Sequence, residues 1–440
     1  MEIEPTKFKL KNCETQRVFE DTGWLLSDPE YDKPSLIRAV YEKRQIEFKD
    51  DKYGIYKFAN WLPIWHTLKN SAAPVTYKSE GLAAKLGLNN LYITFSGYWP
   101  EKGANMRTAS VKETEAYSVC ARLPKEMLGG CGYDSKVLVV ASAGNTARAF
   151  AQVCSDNHIP IVISIPIDNL NALWFAKPLN DCVKIICSPA GSDYFDAIAL
   201  SDKLCSSKRY LAEGGAKNVA RRDGMSTTVL SAVQVIGKIP DFYFQAIGSG
   251  TGAIAAYEAN LRLLEDGRFG NTVMKLFPSQ NVPFTPMYDA WKAGNRNIVF
   301  TDEDAARTDA LKIDAKVLSN RKPPYSVPGG LFDALKATDG EMEKVTNEEL
   351  KEACNLFKEL EGIDIHPAAG VATSSLIQAV KDGKVKENDI VMLNITGGGE
   401  QRFKAEHNCV YAKPNLVMEP SLTAEEVVNR VNERFSRVFP

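Results

Sequence analysis

The chain has 440 residues, 44% of them apolar and 25% charged, and a formal net charge of -2. That length suits two lobes rather than one small core, and the near-neutral balance excludes nucleic acid and an anionic membrane surface as expected partners. The opening Met1-Glu2-Ile3-Glu4-Pro5-Thr6-Lys7 has no apolar stretch, so no secretory leader is expected. No apolar run approaches the roughly 20 residues of a membrane span. The nine cysteines are odd in number and scattered, a pattern that suits reduced thiols in a cytoplasmic protein. With the four histidines also dispersed, no metal site is expected.

In chain order, residues 1–72 are charged and aromatic without βαβ rhythm and read as a peripheral arm. Short apolar runs follow, each ending in a loop of small or turn-forming residues: Val137–Val140, Ile161–Ile165, Val183–Cys187, Phe242–Ile247 and Val391–Ile395. Such runs predict buried parallel strands. Helices are predicted over Thr146–Asp156, Tyr194–Leu204, Gly252–Leu264, Asn347–Glu361 and Ala369–Asp382. The alternation predicts an α/β fold with parallel sheets, a first lobe over 73–235 and a second over 236–440. The irregular segment from Lys312 to Pro328 reads as a long surface loop that is a candidate to cover the site.

Three strand-to-loop junctions and one lysine carry the chemistry. Ligands in parallel sheets bind beyond the carboxyl ends of the strands, where all three loops fall. Lys112, flanked by Ser110, Val111 and Glu113 with Ala109 and Ala116 nearby, reads as the start of a partly buried helix, where an amine can act as nucleophile and proton carrier. Its plain alternative is a solvated helix lysine. The loop Ser142-Ala143-Gly144-Asn145-Thr146 leads into a helix, so its amides suit a carboxylate or phosphate; the alternative is an ordinary helix cap.

Gly248-Ser249-Gly250-Thr251-Gly252 lets backbone wrap on an anion, with two hydroxyl donors added. Gly248, Gly250 and Ala253 also fit a dinucleotide fingerprint, which requires an acid at the end of the next strand. Met274-Lys275-Leu276-Phe277-Pro278-Ser279-Gln280 supplies none. Thr396, before three glycines, offers a hydroxyl to a ring nitrogen or else caps a turn.

Together these residues resemble the fold-type II pyridoxal-phosphate enzymes, among them threonine synthase, serine dehydratase and cysteine synthase. The family's S-F-K-D stands here as Ser110-Val111-Lys112-Glu113 and its S-G-N-T as Ala143-Gly144-Asn145-Thr146. Further similarity runs from about Ala73 to Lys404, with Glu361-Gly362-Ile363 and Pro367-Ala368-Ala369 resembling the threonine synthase branch.

The resemblance implies a tryptophan synthase β-like architecture: two doubly wound lobes with the active site in the crevice between them. It implies pyridoxal 5'-phosphate on Lys112, its ring oxygen on Asn145, its phosphate on Gly248 to Gly252 and its ring nitrogen on Thr396. A hydroxyl there keeps the ring neutral and favours elimination at Cβ over transamination. The substrate carboxylate falls to the amides of Ser142, Ala143, Gly144 and Thr146.

Gly97-Tyr98-Trp99-Pro100-Glu101-Lys102-Gly103-Ala104 and Asn218-Val219-Ala220-Arg221-Arg222-Asp223-Gly224-Met225 are similar to members of that branch that use sulfite. This implies O-phospho-L-serine and sulfite as small-molecule substrates, and L-cysteate and phosphate as products. The alternatives are threonine synthesis from O-phosphohomoserine and, more remotely, a non-catalytic binding protein of the same fold. Glu113 departs from the family's Asp, Glu115 stands near a usual Arg, and only Cys13 remains where some relatives carry zinc-type cysteine pairs. Two anionic reactants need cations, and bidentate arginine suits them. Arg107, Arg148, Arg221, Arg222 and Lys102 are candidates, with Arg107 and Arg221 favoured. A homo-oligomer is expected as the commonest kind of assembly.

Overall fold

The computed structural model of the chain describes residues 3–124, 136–142 and 144–439; Cys131 and Ala143 lie outside them. The apolar runs form strands Val137–Ala141, Ile161–Pro166, Val183–Ser188, Phe242–Ala246 and Ile390–Ile395. The first three lie in a five-stranded sheet, in the order Tyr210–Ala212, Val137–Ala141, Ile161–Pro166, Val183–Ser188, Leu416–Val417, and every pairing in it is parallel. The other two lie in a six-stranded sheet ordered Glu343–Val345, Lys275–Asn281, Phe242–Ala246, Ile390–Ile395, Asn90–Phe95, Val75–Lys78. Only its last pairing is antiparallel.

Both sheets are covered on two faces, which explains runs without polar alternation. Successive residues of one strand enter different cores. Phe244, Phe277 and Leu393 pack with Phe357, Ala369 and Leu376, whereas Tyr243, Leu276 and Met392 pack with Val229, Val233, Ile254 and Leu263. This is the two-residue period of a strand, with apolar side chains on both sides.

The helices Asn145–Asn157, Tyr194–Leu204, Thr251–Asp266, Asn347–Glu361 and Pro367–Lys381 lie within two residues of their predicted bounds. The segments read as separate lobes interleave, however. Val75–Lys78 and Asn90–Phe95 join the sheet of residues 242–395, and Leu416–Val417 returns to the sheet of residues 137–212. The helix Ala424–Phe435 follows it there, placing Val427, Val431 and Phe435 on Val137, Val139, Val162 and Ile186. Local pattern specifies that a short strand exists; only its pairing partner decides the sheet.

The expected peripheral arm is structured. Phe8–Asn12 pairs with Val18–Phe19 and with Ile37–Tyr41, and the arm packs on the two helices behind the crevice. Tyr41 donates to Asp223 at 2.5 Å, and Asp266 accepts from the Ile46 amide at 2.8 Å.

The helix Val219–Ile236 has no counterpart in the sequence reading. It is buried on nearly every side, so it lacks an amphipathic stripe. Its local signals are the Asn218 cap, accepting from the Ala220 amide at 3.0 Å, and Gly237 in the left-handed region with φ 73°. It crosses the helix Lys112–Arg122 at Gly224, where a Cβ would stand 2.5 Å from the Thr114 carbonyl oxygen and 3.1 Å from Glu115 Cα. Gly224→Ala is therefore expected to cost about 1–3 kcal/mol through overpacking. Denaturation midpoints of the cofactor-free protein measure this; an unchanged midpoint would show that the two helices are not in close contact.

Candidate active site

Lys112 opens a helix whose remaining residues are all buried. Ala109 just before it takes a left-handed φ of 51°, and the turn is stapled by Val111 donating to the Thr396 carbonyl at 2.9 Å. Three positions later on the helix, the right spacing for a shared face, Glu115 meets the amine: Lys112 Nζ donates to Glu115 Oε1 at 2.5 Å.

All three predicted loops converge on the pair Val111–Lys112. The loop at Thr396 bonds Val111 directly, and Ser110 and Gly397 form an antiparallel bridge beside it. The glycine loop arrives through its helix, since Val111 packs with Ala255 and Met225. The loop at Asn145 arrives through Arg221, whose Nε donates to Glu115 at 2.6 Å and whose Nη2 donates to Thr146 Oγ1 at 3.2 Å. The glycine run 397–399 makes this convergence possible. A Cβ on Gly398 would meet the Asp364 carbonyl at 2.6 Å, and one on Gly399 would collide with the carbonyl of Tyr98.

Arg221 is the electrostatic centre. Its side chain is 14% exposed, and it serves Glu115, 0% exposed, and Glu213, 6% exposed. Burial alone would raise the Glu115 carboxyl, but the charges of Arg221 and Lys112 and their hydrogen bonds outweigh it and hold the group below its ordinary value. Burial does push Glu213 up, against the charge of Arg221, and its Oε1 has no hydrogen-bond partner among the described residues. On the far side of Lys112, burial likewise raises Glu113, which accepts from the amide and hydroxyl of Thr108 at 3.0 and 2.9 Å.

The donor set suits pyridoxal phosphate. Gly250 turns with φ 78° into the 16-residue helix Thr251–Asp266, whose first amides lack intrahelical acceptors. Ser249 and Thr251 hydroxyls lie 2.7 Å apart beside them, so amides, hydroxyls and helix dipole together favour a phosphate. On one side the loop is closed off, because a Cβ on Gly248 would lie 2.6 Å from the Val317 carbonyl oxygen. Asn145 begins its helix with Nδ2 uncommitted among the described residues, while Ser142 Oγ accepts from the Gly144 amide at 3.1 Å.

The remaining cations go elsewhere. Arg107 pairs with Asp156, about 16 Å along its helix from Asn145 at 1.5 Å per residue, so its guanidinium is directed away from the loop at Asn145. Arg222 is buried against Glu258 at 3.0 Å. Lys102 lies over the rings of Tyr77 and Trp99 at 4.6 and 5.5 Å. Arg148 is buried beside Asn145.

The segment from Lys312 to Pro328 is more than a surface loop, because Ile313, Ala315, Leu318 and Tyr325 are buried. From Val317 at the glycine loop it reaches Arg321, which pairs with Asp193 at 3.3 Å and lies over the Phe195 ring at 4.2 Å. The segment thereby spans from one sheet's loops to the other's. In the sequence Glu115 stands out only as a departure from the family pattern and Glu213 not at all, although both carry a signal. Glu115 is three residues from Lys112 on a helix, and Glu213 follows the strand Tyr210–Ala212 at its carboxyl end.

Among the described residues no group of three or more His, Cys, Asp or Glu side chains is placed to hold a metal. No described helix is long and apolar enough to cross a membrane.

A family model described as "Pyridoxal-phosphate dependent enzyme" matches residues 77–397. The chain is 47% identical to cysteate synthase of Methanosarcina acetivorans over 89% of this chain and 93% of that one. It is 46% identical to cysteate synthase of Methanosarcina mazei over 94% and 97%. Among solved structures, maize serine racemase superposes with a TM-score of 0.55 at 13% identity, covering 76% of this chain and 91% of that one; this likeness concerns the fold. The chain belongs to the pyridoxal-phosphate-dependent enzymes and, within them, to the cysteate synthase family.

Proposed function

We propose that the protein replaces the phosphate of O-phospho-L-serine by sulfite, forming L-cysteate. The Cβ–O bond breaks with its electron pair leaving on phosphate, the sulfur lone pair forms the Cβ–S bond, and the proton of hydrogen sulfite ends on phosphate. The observation that carries this reading is Arg221 held between Glu115, the partner of Lys112, and Thr146 at the head of the substrate loop. With Glu115 and Glu213 on two of its nitrogens, Arg221 ties the lysine's partner to the hydroxyl at the head of that loop and fixes the two relative to each other.

Lys112 would hold pyridoxal phosphate covalently, with Gly248, Ser249, Gly250, Thr251 and Gly252 on its phosphate, Asn145 on its ring oxygen and Thr396 on its ring nitrogen. The bound cofactor supplies an electron sink for bond breaking at Cα and Cβ. Lys112, freed when the substrate amine binds, removes the Cα proton and later returns it, with Glu115 beside it as the nearest proton partner. The amides of Ser142, Ala143, Gly144 and Thr146 bind the substrate carboxylate. Arg221, of the two arginines favoured from sequence, is the one that reaches the substrate loop, at Thr146 Oγ1.

We also assign the enzyme to the cytoplasm as a homo-oligomer. Incubating holoenzyme with O-phosphoserine and sulfite is expected to yield cysteate and phosphate in equal amounts. Threonine from O-phosphohomoserine, with no cysteate, would overturn the assignment in favour of threonine synthesis.

A further inference from the structure

We propose that Arg148 is a positioning residue that fixes the amide of Asn145 with its oxygen edge inward, so that the Nδ2 edge is always the one offered to the cofactor. The inference rests on the reading of Asn145 given above.

Arg148 is 2% exposed, and no carboxylate lies within ion-pair distance of it among the described residues. Its guanidinium donates to the Thr108 carbonyl from Nε at 3.2 Å and from Nη2 at 3.0 Å, and to the Ala172 carbonyl at 2.7 Å. Nη2 also donates to Asn145 Oδ1 at 2.8 Å. The group lies 4.2 Å from the centroid of the Trp174 ring. Glu113 and Glu400 act on it through charge alone, and burial pushes it down to about 10, so it stays cationic at neutral pH.

A buried cation with no carboxylate in direct contact is costly, so its geometry calls for a reason beyond packing. Arginine has donors and no acceptor, so only the oxygen of an amide can face it. A free asparagine at the head of a helix can present either edge; this one cannot. Arg148 is also the shared anchor of the two loops the cofactor must meet together. Its Thr108 contact belongs to the turn before Lys112, and its Asn145 contact lies one helical turn away on its own helix. Its charge next to the Asn145 oxygen polarises the amide and strengthens Nδ2 as a donor.

The test is a double-mutant cycle on the holoenzyme, read as the pH midpoint of the cofactor's visible band. A strong donor to the ring oxygen favours the deprotonated form of the linked cofactor, so its loss raises the midpoint. Asn145→Ala and Arg148→Met are each expected to raise it by about one pH unit, roughly tenfold in proton affinity. Arg148→Met in the Asn145→Ala background is expected to add nothing. Where Arg148→Met does not fold, Arg148→Lys takes its place in the cycle. It keeps the charge without the planar fork, and its shift has the same sign and is likewise absent without Asn145. If Asn145→Ala leaves the midpoint in place, the reading of Asn145 fails and this inference with it. If Asn145→Ala shifts the midpoint but the Arg148 variant does not, or shifts it equally in both backgrounds, the inference alone is overturned.

Discussion

Lys112→Ala is expected to remove the visible band of the purified protein and to lower turnover by at least about 10⁴-fold, since proton transfer alone contributes up to that factor and the covalent link is lost as well. The fold is expected to survive. The Lys112 side chain is 26% exposed, and Glu115 keeps Arg221 at 2.6 Å after the amine is gone. Lys112→Arg separates the two roles of the amine. It preserves a cation on Glu115 but offers no neutral amine near pH 7, so the band and the turnover are expected to vanish together in both variants. Normal turnover in either would refute the mechanism. A variant that keeps the band would show the cofactor to be linked elsewhere.

Arg221→Met is expected to produce the largest loss of stability, about 3–5 kcal/mol, because it strands two buried carboxylates rather than one. Glu115 and Glu213 both depend on it, at 2.6 and 3.2 Å. The sign of the pH dependence follows from the shifts. In the parent protein Glu115 lies below its ordinary value of 4.5, so it contributes stability above that pH and loses it as pH falls through the lower, folded value. Glu213 lies above its ordinary 4.5, so its ionisation costs stability as pH rises past that point. Without Arg221 both groups move upward, and both then penalise the folded state increasingly towards neutrality. The deficit of the variant is therefore expected to be smallest near pH 4 and to widen up to pH 7, roughly the span over which buried carboxylates titrate. Denaturation midpoints across that range measure it. A deficit independent of pH would show that Arg221 contributes packing rather than charge. Arg221→Lys is expected to recover part of the loss, since one ammonium cannot serve Glu115, Glu213 and Thr146 at once.

The structure also links the arm to the chemistry. Arg222, next to Arg221, is held by Glu258 and by the carbonyls of Ala216 and Ile37. Arg122, at the end of the lysine's helix, is held by Asp21 and Asn218. Residues before 72 thus clamp the far end of the helix that Lys112 opens, through Asp21, and the same end of the second helix that carries Arg221, through Ile37, which gives the charged, aromatic texture of that region a physical purpose.

The sequence by itself determined whatever depends on neighbours in the chain. The β-branched runs had to be buried strands, the glycine loops had to follow them, and Lys112 had to open a helix. The helices Tyr194–Leu204 and Asn347–Glu361 match their predicted bounds because period and cap residues act over a few positions. Tertiary structure alone decided which cation meets the partner of Lys112. Arg107 and Arg221 were indistinguishable as sequence, yet one is spent on Asp156 and the other is fixed by Glu115, 106 positions away. It alone decided the sheet joined by Val75–Lys78, Asn90–Phe95 and Leu416–Val417, and it hid the helix Val219–Ile236 by burying it on nearly every side. The reason is common to all three. Ion pairs, strand pairing and all-round burial are contacts between distant segments, and local periodicity carries no record of which distant segment arrives.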